Sequence, residues 1–149
     1  MRVKRVNRYY CDYCKKSGCS GGHMKKHEKR CMHNSDRECG FCLAEGKRGK
    51  TDLAPLVAML PDPAKFSKPG RDWDGREIED CPQWDVDFNA AVKAALPALF
   101  EAADGCPGCI LAAMIQRGMP TTTRSGWDFK EASVEFWRQI NEEQQRGEY

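Results

Sequence analysis

Three cysteines and a histidine near the start of the chain have the spacing of a metal site. They are Cys11, Cys14, His27 and Cys31, in the pattern C-x2-C-x12-H-x3-C. Thiolate sulfur and imidazole nitrogen are donors that Zn²⁺ prefers in proteins, and this spacing falls within the range of zinc fingers. Because His27 and Cys31 are four residues apart, they lie on one face of a helix and can complete a tetrahedron with the first pair.

The fourth ligand of this predicted site has an alternative. His33 follows His27 at a spacing that zinc fingers also permit. We favour Cys31, because a separation of four residues needs no distortion of the helix and because a spare reduced thiol would otherwise have no role.

Two further C-x2-C pairs, far apart in the sequence, predict a second zinc site. Cys39 and Cys42 lie in ECGFC, and Cys106 and Cys109 lie in CPGC. Glycine or proline within each pair helps the backbone turn, and four thiolates make a closed structural zinc site. The long intervening segment is acceptable because the entropy of loop closure grows only with the logarithm of its length. We therefore expect two Zn²⁺ per chain; a redox dithiol at CPGC, or two pairs that act independently, are the alternatives.

The first site resembles the two-Cys, two-His zinc-finger superfamily, with cysteine as the fourth ligand. Tyr9 and Met24 stand where that superfamily has an aromatic and an aliphatic core residue. Gly18 replaces the central phenylalanine, and Gly21-Gly22 occupy the start of the helix, where each glycine costs about 1 kcal/mol relative to alanine. The resemblance implies a ββα-like finger that is loosely packed and depends on its metal.

Charge is distributed unevenly along the chain. Residues 1–50 hold 14 Lys/Arg and 5 Asp/Glu, a net +9, whereas residues 51–149 hold 10 and 17, a net −7. A basic zinc-binding half is typical of proteins that contact nucleic-acid phosphates, although the two halves could instead pack on each other. One finger covers roughly 3 bp, so we expect weakly selective binding. The predicted nucleic-acid-binding residues are Lys15, Lys16, His23, Lys25, Lys26, Lys29 and Arg30.

The chain beyond residue 50 predicts helices. A short helix spans residues 52–60 with Asp52 as its N-cap, and residues 61–82 are predicted to be a loop that Trp73 and Trp84 anchor to the core. Later helices run from about residue 85 or 87 to 103, with a kink at Pro97, and from the CPGC motif to residue 118.

The last predicted helix begins near Asp128, with Glu131 in the position of a capping box. Apolar residues recur along it at helical spacing, which is typical of a face that packs against a core. These residues are Phe129, Ala132, Phe136, Trp137 and Ile140.

These elements predict a small, mainly α, zinc-stapled fold. A basic ββα-like zinc finger occupies residues 1–36, and a helical domain tied by the four-cysteine site occupies residues 37–149. Nine cysteines in a chain that starts with a basic, apolar-poor segment favour a reducing cytoplasm over a secreted disulfide scaffold. No run of residues approaches the apolar length of a membrane span.

At the level of the whole chain, four strings resemble small zinc-finger proteins encoded by tailed bacteriophages and prophages. They are YYCDYC, GHMKKHEKRC, ECGFC and CPGCILAAM. The resemblance implies expression in the cytoplasm of a bacterial host, with the virion as a second location. Most members of this group have no known function.

We therefore expect a zinc-binding accessory protein that associates with nucleic acid through its basic half. The alternative is a protein–protein adaptor, or a phage particle or assembly component, in which zinc is purely structural and the partner is a phage or host protein. We expect no enzyme, no membrane partner and no small-molecule substrate. Both predicted sites have four protein ligands, whereas a hydrolytic zinc site leaves one position for water.

Overall fold

The described part of the chain contains six α-helices, a short 3₁₀ helix (Pro63–Lys65) and two antiparallel strand pairs. The structure is a computed structural model that describes residues 6–47, 49, 51–84, 86–119 and 127–147, with side chains at 67 and 78–84 left out. The strands are β1 (Tyr9–Tyr10), β2 (Ser17–Gly18), β3 (Ser67–Arg71) and β4 (Glu77–Trp84). The helices are α1 (Gly21–Arg30), α2 (Gly40–Ala44), α3 (Ala54–Met59), α4 (Val86–Ala102), α5 (Pro107–Gln116) and α6 (Phe129–Gly147).

The N-terminal segment, residues 6–31, contains β1, β2 and α1. The two strands pair in antiparallel register, with Tyr9 opposite Gly18 and Tyr10 opposite Ser17. Ser20 then caps α1, because its Oγ accepts a hydrogen bond from the amide of His23 at 3.4 Å. The ring of Tyr9 lies against the start of α1, where a Cβ on Gly21 would be 3.1 Å from it.

The main core lies between α3, α4 and α5. Apolar residues at helical spacing on each helix face one another, and α5 is buried over most of its length. Pro107 suits the first position of α5, where no amide bond is lost, and Gly118 ends the helix with a φ of +76°. The largest fully buried side chains include Leu53, Leu56, Leu60, Phe88, Val92, Leu99 and Ile110.

The apolar side of α6 packs against Phe41 of α2. The Phe41 ring centroid lies 5.1 Å from that of Phe136 and 5.6 Å from that of Trp137. Phe136 is buried, as the spacing predicts, but Trp137 stays partly exposed at the edge of the contact. Asp128 caps this helix through its Oδ1, which accepts from the amide of Glu131 at 3.0 Å.

Residues 31–38 connect the N-terminal segment to the helical core through specific hydrogen bonds. The side chain of Gln116 in α5 donates to the carbonyls of Met32, at 3.0 Å, and Asn34, at 3.1 Å. The amide of Glu38 donates to the Lys29 carbonyl at 2.6 Å. These bonds cross the predicted boundary at residues 36 and 37.

The predicted loop over residues 61–82 is wrong, because β3 and β4 form a hairpin there. Proline and glycine made this stretch look irregular, but Pro69 lies at a register shift between Lys68 and Gly70, where a missing amide is tolerated. Asp72 closes the hairpin tip by accepting from the amides of Asp74 and Arg76. Gly75 provides the positive φ, +80°, that the turn requires.

Two predicted details in this region also need correction. Trp73 does not anchor the chain to the core, since it lies at the hairpin tip and is 93% exposed. Helix α3 has Leu53 at its N-cap position; Asp52, one residue earlier, accepts from the amide of Ala54 instead. The side chain of Trp84 lies outside the described side chains.

Candidate metal centres

Cys11, Cys14, His27 and Cys31 come together in the N-terminal cluster. One donor atom from each lies within 4.8 Å of all the others. The Cys14 Sγ and His27 Nε2 atoms are 3.3 Å apart, close to the roughly 3.5 Å expected for a sulfur and a nitrogen that share a tetrahedral Zn²⁺. Strand pairing positions the first two cysteines, while His27 and Cys31 lie one turn apart at the end of α1. The arrangement could hold one metal ion.

Backbone amides and burial set the ionisation of the thiols in this cluster. The Lys16 amide, 3.5 Å from Cys14 Sγ, and then the His27 ring lower the pKa of Cys14 to about 7. Burial raises the pKa of Cys31 to about 11. One thiol is therefore readily ionised at neutral pH, whereas the other needs a metal cation to release its proton.

The core cluster consists of Cys39, Cys42, Cys106 and Cys109, all of them buried. The Sγ of Cys106 lies 3.5 Å from that of Cys39 and 3.5 Å from that of Cys42, and Cys42 and Cys109 are 3.6 Å apart. A tetrahedral zinc–thiolate site has sulfur–sulfur edges of about 3.8 Å, whereas a disulfide bond measures about 2.05 Å. The two C-x2-C pairs thus form one four-sulfur cluster rather than two independent sites.

Three groups surround the core cluster. The Thr51 hydroxyl lies 3.7 Å from the Cys42 sulfur and 3.5 Å from the Cys109 sulfur, which allows it to donate to a thiolate. Gly108 leaves no room for a side chain, because a Cβ there would be 2.5 Å from Phe41 Cδ2 and 3.1 Å from Cys39 Sγ. Arg37 is the third group and the only charged one of the three.

Arg37 is a cation buried beside the core cluster, with 4% of its surface exposed. Its Nη1 donates to the Gly108 carbonyl at 3.3 Å. Hydrogen bonds from Cys106 and Cys109, then the Cys42 amide, and last the charge of Arg37 lower the pKa of Cys39. Four thiolates around a divalent ion carry a net charge of −2, so this guanidinium offsets half of it. Sequence reasoning missed this role, because Arg37 is one of 14 basic residues in the first 50.

All seven predicted nucleic-acid-binding residues are exposed or partly exposed. Four of them form the basic stripe on α1, while Met24, His27 and Cys31 face the N-terminal cluster. The stripe comprises Lys25, Lys26, Lys29 and Arg30. His33, the alternative fourth ligand, is exposed and does not belong to the N-terminal cluster.

Comparison of the chain with protein-family models, with curated proteins and with solved structures gives no match. None of the described helices is both long enough and apolar enough to cross a membrane. The function therefore has to be inferred from the side chains and their arrangement.

Proposed function

We propose that the protein binds two structural zinc ions and associates with nucleic acid through the basic surface of its N-terminal segment. The donor sets, three sulfurs with one nitrogen and four sulfurs, suit Zn²⁺ in tetrahedral coordination. Both sets provide four protein ligands, which supports a structural rather than a catalytic role for the metal.

Native mass spectrometry of protein purified without chelator tests the metal proposal. We expect two zinc ions per chain. Iron at the core cluster is the main competing outcome, because a tetrahedral site of four sulfurs also accepts iron. One metal ion, or none, would contradict the two-site proposal.

The basic stripe on α1 is the observation that carries the nucleic-acid proposal. Lys25 and Lys29, and likewise Lys26 and Arg30, are four residues apart on a helix, so each pair repels by roughly 0.2–0.5 kcal/mol. These side chains are exposed, and none of them belongs to either candidate metal cluster. Such a row of like charges is well suited to bind a polyanion, because phosphates relieve the repulsion within each pair and release counterions.

Replacing the four stripe residues with alanine tests this proposal. Alanine favours helix, so the fold should survive, while affinity and its salt dependence should both decrease. The matched control changes four exposed cations outside the N-terminal segment: Lys65, Arg71, Lys93 and Lys130. The control loses the same charge and should bind nearly as well as the parent. Binding would be measured by fluorescence anisotropy at about 50 and 200 mM salt, between which a multi-phosphate contact loses orders of magnitude in affinity.

An adaptor function is the second candidate, and the hairpin tip favours it. Trp73 is almost fully exposed on a turn that Asp72 holds by two hydrogen bonds, and exposed tryptophans are common at the centres of protein interfaces. No binding of nucleic acid by the parent at about 50 mM salt would favour this function. Four short segments of the sequence resemble phage-encoded zinc-finger proteins. For either function, this resemblance supports a role in an infected or lysogenic bacterial cell.

A further inference from the structure

A cleft of about 470 Å³ opens beside Gly18, between β2 and the start of α1. Its lining includes Ser17, Gly18, His23 and Met24. This volume lies within the range of sites that hold small-molecule ligands. The cleft exists because Gly18 has no side chain at a position where the zinc fingers that this segment resembles have a core phenylalanine.

The floor of the cleft suits a flat aromatic ring. Met24 is buried, and its Cε would lie 3.6 Å from a Cβ placed on Gly18. The methionine side chain therefore lies in van der Waals contact with the space that a ring would occupy. Thioether sulfur and methyl groups make favourable contacts with aromatic rings. The backbone of Gly18 has no positive φ, so a side chain could be added there without backbone strain.

The rim of the cleft suits a negatively charged ligand. Lys16 and His23 line it, and none of its lining residues is a carboxylate. A second cleft, between α1 and residues 34–38, is of mixed charge. Four carboxylates, Asp12, Glu28, Asp36 and Glu38, line it together with Lys25 and Lys29 of the basic stripe. A phosphate chain is therefore better suited to the Gly18 cleft, whose lining contains no carboxylate.

We infer that the Gly18 cleft holds an unpaired base of single-stranded nucleic acid while Lys16 and the basic stripe contact the adjacent phosphates. This inference rests on the proposed function and specifies its ligand. A base in a duplex is stacked on both faces and would have to be extruded to enter a cleft, whereas a base in a single strand is free to do so. Tyr10 and Tyr13 are exposed nearby in the chain and offer ring faces for neighbouring bases.

The start of α1 is also poorly equipped to read a duplex. In a finger that reads the major groove, the base-contacting positions would fall on Ser20, His23 and Lys26. The Ser20 hydroxyl already accepts the His23 amide as the helix cap, and His23 lines the cleft. Of the three positions, Ser20 is thus engaged in the helix cap and His23 is directed to the cleft.

Filling the cleft tests the inference directly. In Gly18→Phe the ring should occupy the cleft, and in the control Gly18→Ala the small Cβ should leave it open. Labelled single-stranded DNA, single-stranded RNA and a duplex of equal length would be titrated at one ionic strength. We expect Gly18→Phe to lose roughly ten- to hundredfold in affinity for single strands, the value of about one base contact, with duplex binding unchanged. Gly18→Ala should bind like the parent, and the better of the two single strands identifies the sugar.

A second measurement locates the ligand without relying on a variant that folds. Cys19 is exposed and lines the cleft, so a bound single strand should slow its alkylation, measured by peptide mass spectrometry. Full single-strand affinity in a zinc-loaded Gly18→Phe variant, or unprotected Cys19 in the saturated parent, would overturn the inference. If the stripe variant still loses binding in that case, the proposed function stands and only the cleft assignment fails. If the parent binds no nucleic acid at all, both fail.

Discussion

Arg37 and Gly108 show how a residue outside the metal ligands can support a metal centre. The guanidinium is buried next to a cluster whose four sulfurs would all be thiolates in the metal-bound state. A cation in that place lowers the cost of collecting negative charge in the interior. Its bond to the Gly108 carbonyl also connects residue 37 to the start of α5, next to two of the sulfurs.

Arg37→Met should therefore weaken metal retention at the core cluster. We expect a loss of about 10–100-fold in metal affinity, as for other groups that support metal ligands indirectly. Competition with a chelator, with zinc counted by mass spectrometry, measures the effect. Arg117→Met is the matched control, since Arg117 also donates to a carbonyl, that of Pro61, but its charge is not among those that lower the pKa of Cys39. Equal metal retention in the two variants would show that the charge of Arg37 is not important.

The two shifted thiols of the N-terminal cluster predict a pH dependence of metal affinity. With its pKa raised to about 11, Cys31 must release a proton to the solvent on metal binding at any pH below that value. Cys14, with its pKa lowered to about 7, is largely ionised above pH 7 and adds a further proton below it. Affinity should therefore fall as pH falls, and should fall more steeply from pH 7 to 6 than from pH 8 to 7.

Cobalt titrations at these pH values can follow the N-terminal cluster separately, because a ligand set of three sulfurs and one nitrogen gives a different visible spectrum from a set of four sulfurs. A constant slope of log affinity against pH across the range would contradict the lowered pKa of Cys14.

At the residue scale, the spacing of cysteine and histidine in the sequence was enough to predict that the eight ligand candidates come together in two clusters. It could not identify Arg37 or Thr51, because neither belongs to a periodic pattern.

Among the described helices, α5 has the largest number of buried residues. It provides Cys109 to the core cluster, and Gly108 allows Phe41 and the Cys39 sulfur to approach its first turn. This approach also places Phe41 where the aromatic face of α6 can cover it.

Gly108→Ala should destabilise the protein although alanine is the better helix former. Its Cβ would meet Phe41 Cδ2 at 2.5 Å, and overpacking of this kind costs about 1–3 kcal/mol. Gly40→Ala, in α2, provides the control, because a Cβ there would have no heavy atom within 4 Å beyond its chain neighbours and the backbone of its own helix. That change should be neutral or stabilise by up to about 1 kcal/mol. Urea denaturation of the zinc-loaded proteins would compare them, and similar stabilities would rule out the close approach at Gly108.

The longer helices could be predicted from the sequence, whereas the short helix α2 and the second hairpin could not. Helices α4, α5 and α6 show apolar residues at helical spacing, together with clear stop signals such as Gly105 and Gly118. In β3 and β4, proline and glycine interrupt any alternation of apolar and polar residues. The turn at Asp72 is held by hydrogen bonds from backbone amides to the Asp72 side chain. Aspartate and glycine are equally common in loops and in hairpin turns, so the composition of this stretch does not distinguish the two.

For the molecule as a whole, the two clusters have unequal structural roles. The core cluster joins α2 to α5 and lies within the main apolar core. The N-terminal cluster has its own small core, in which Met24 is the buried non-ligand residue, and it is attached through residues 31–38.

Cys106→Ser should therefore remove most of the helical circular dichroism signal, whereas Cys14→Ser should leave most of it intact. Loss of the first site releases the ends of a long loop and leaves buried thiols without a metal. Loss of the second should unfold mainly α1, whose ten residues are a small part of the helical total. Equal loss in the two variants would mean that the bonds from Gln116 and Glu38 make the N-terminal segment integral to the core.

The separation of the core-cluster ligands along the chain also affects how the protein is made. Cys106 and Cys109 follow Cys42 by 64 and 67 residues, whereas the whole N-terminal cluster is complete at Cys31. At translation rates of about 5–20 residues per second, Cys39 and Cys42 wait roughly 3–13 seconds on the ribosome for their partners. A metal ion could enter the N-terminal cluster before synthesis ends, whereas the core cluster cannot form until α5 has been made. During that interval the nascent chain holds Cys39 and Cys42 without the other two thiols of their cluster.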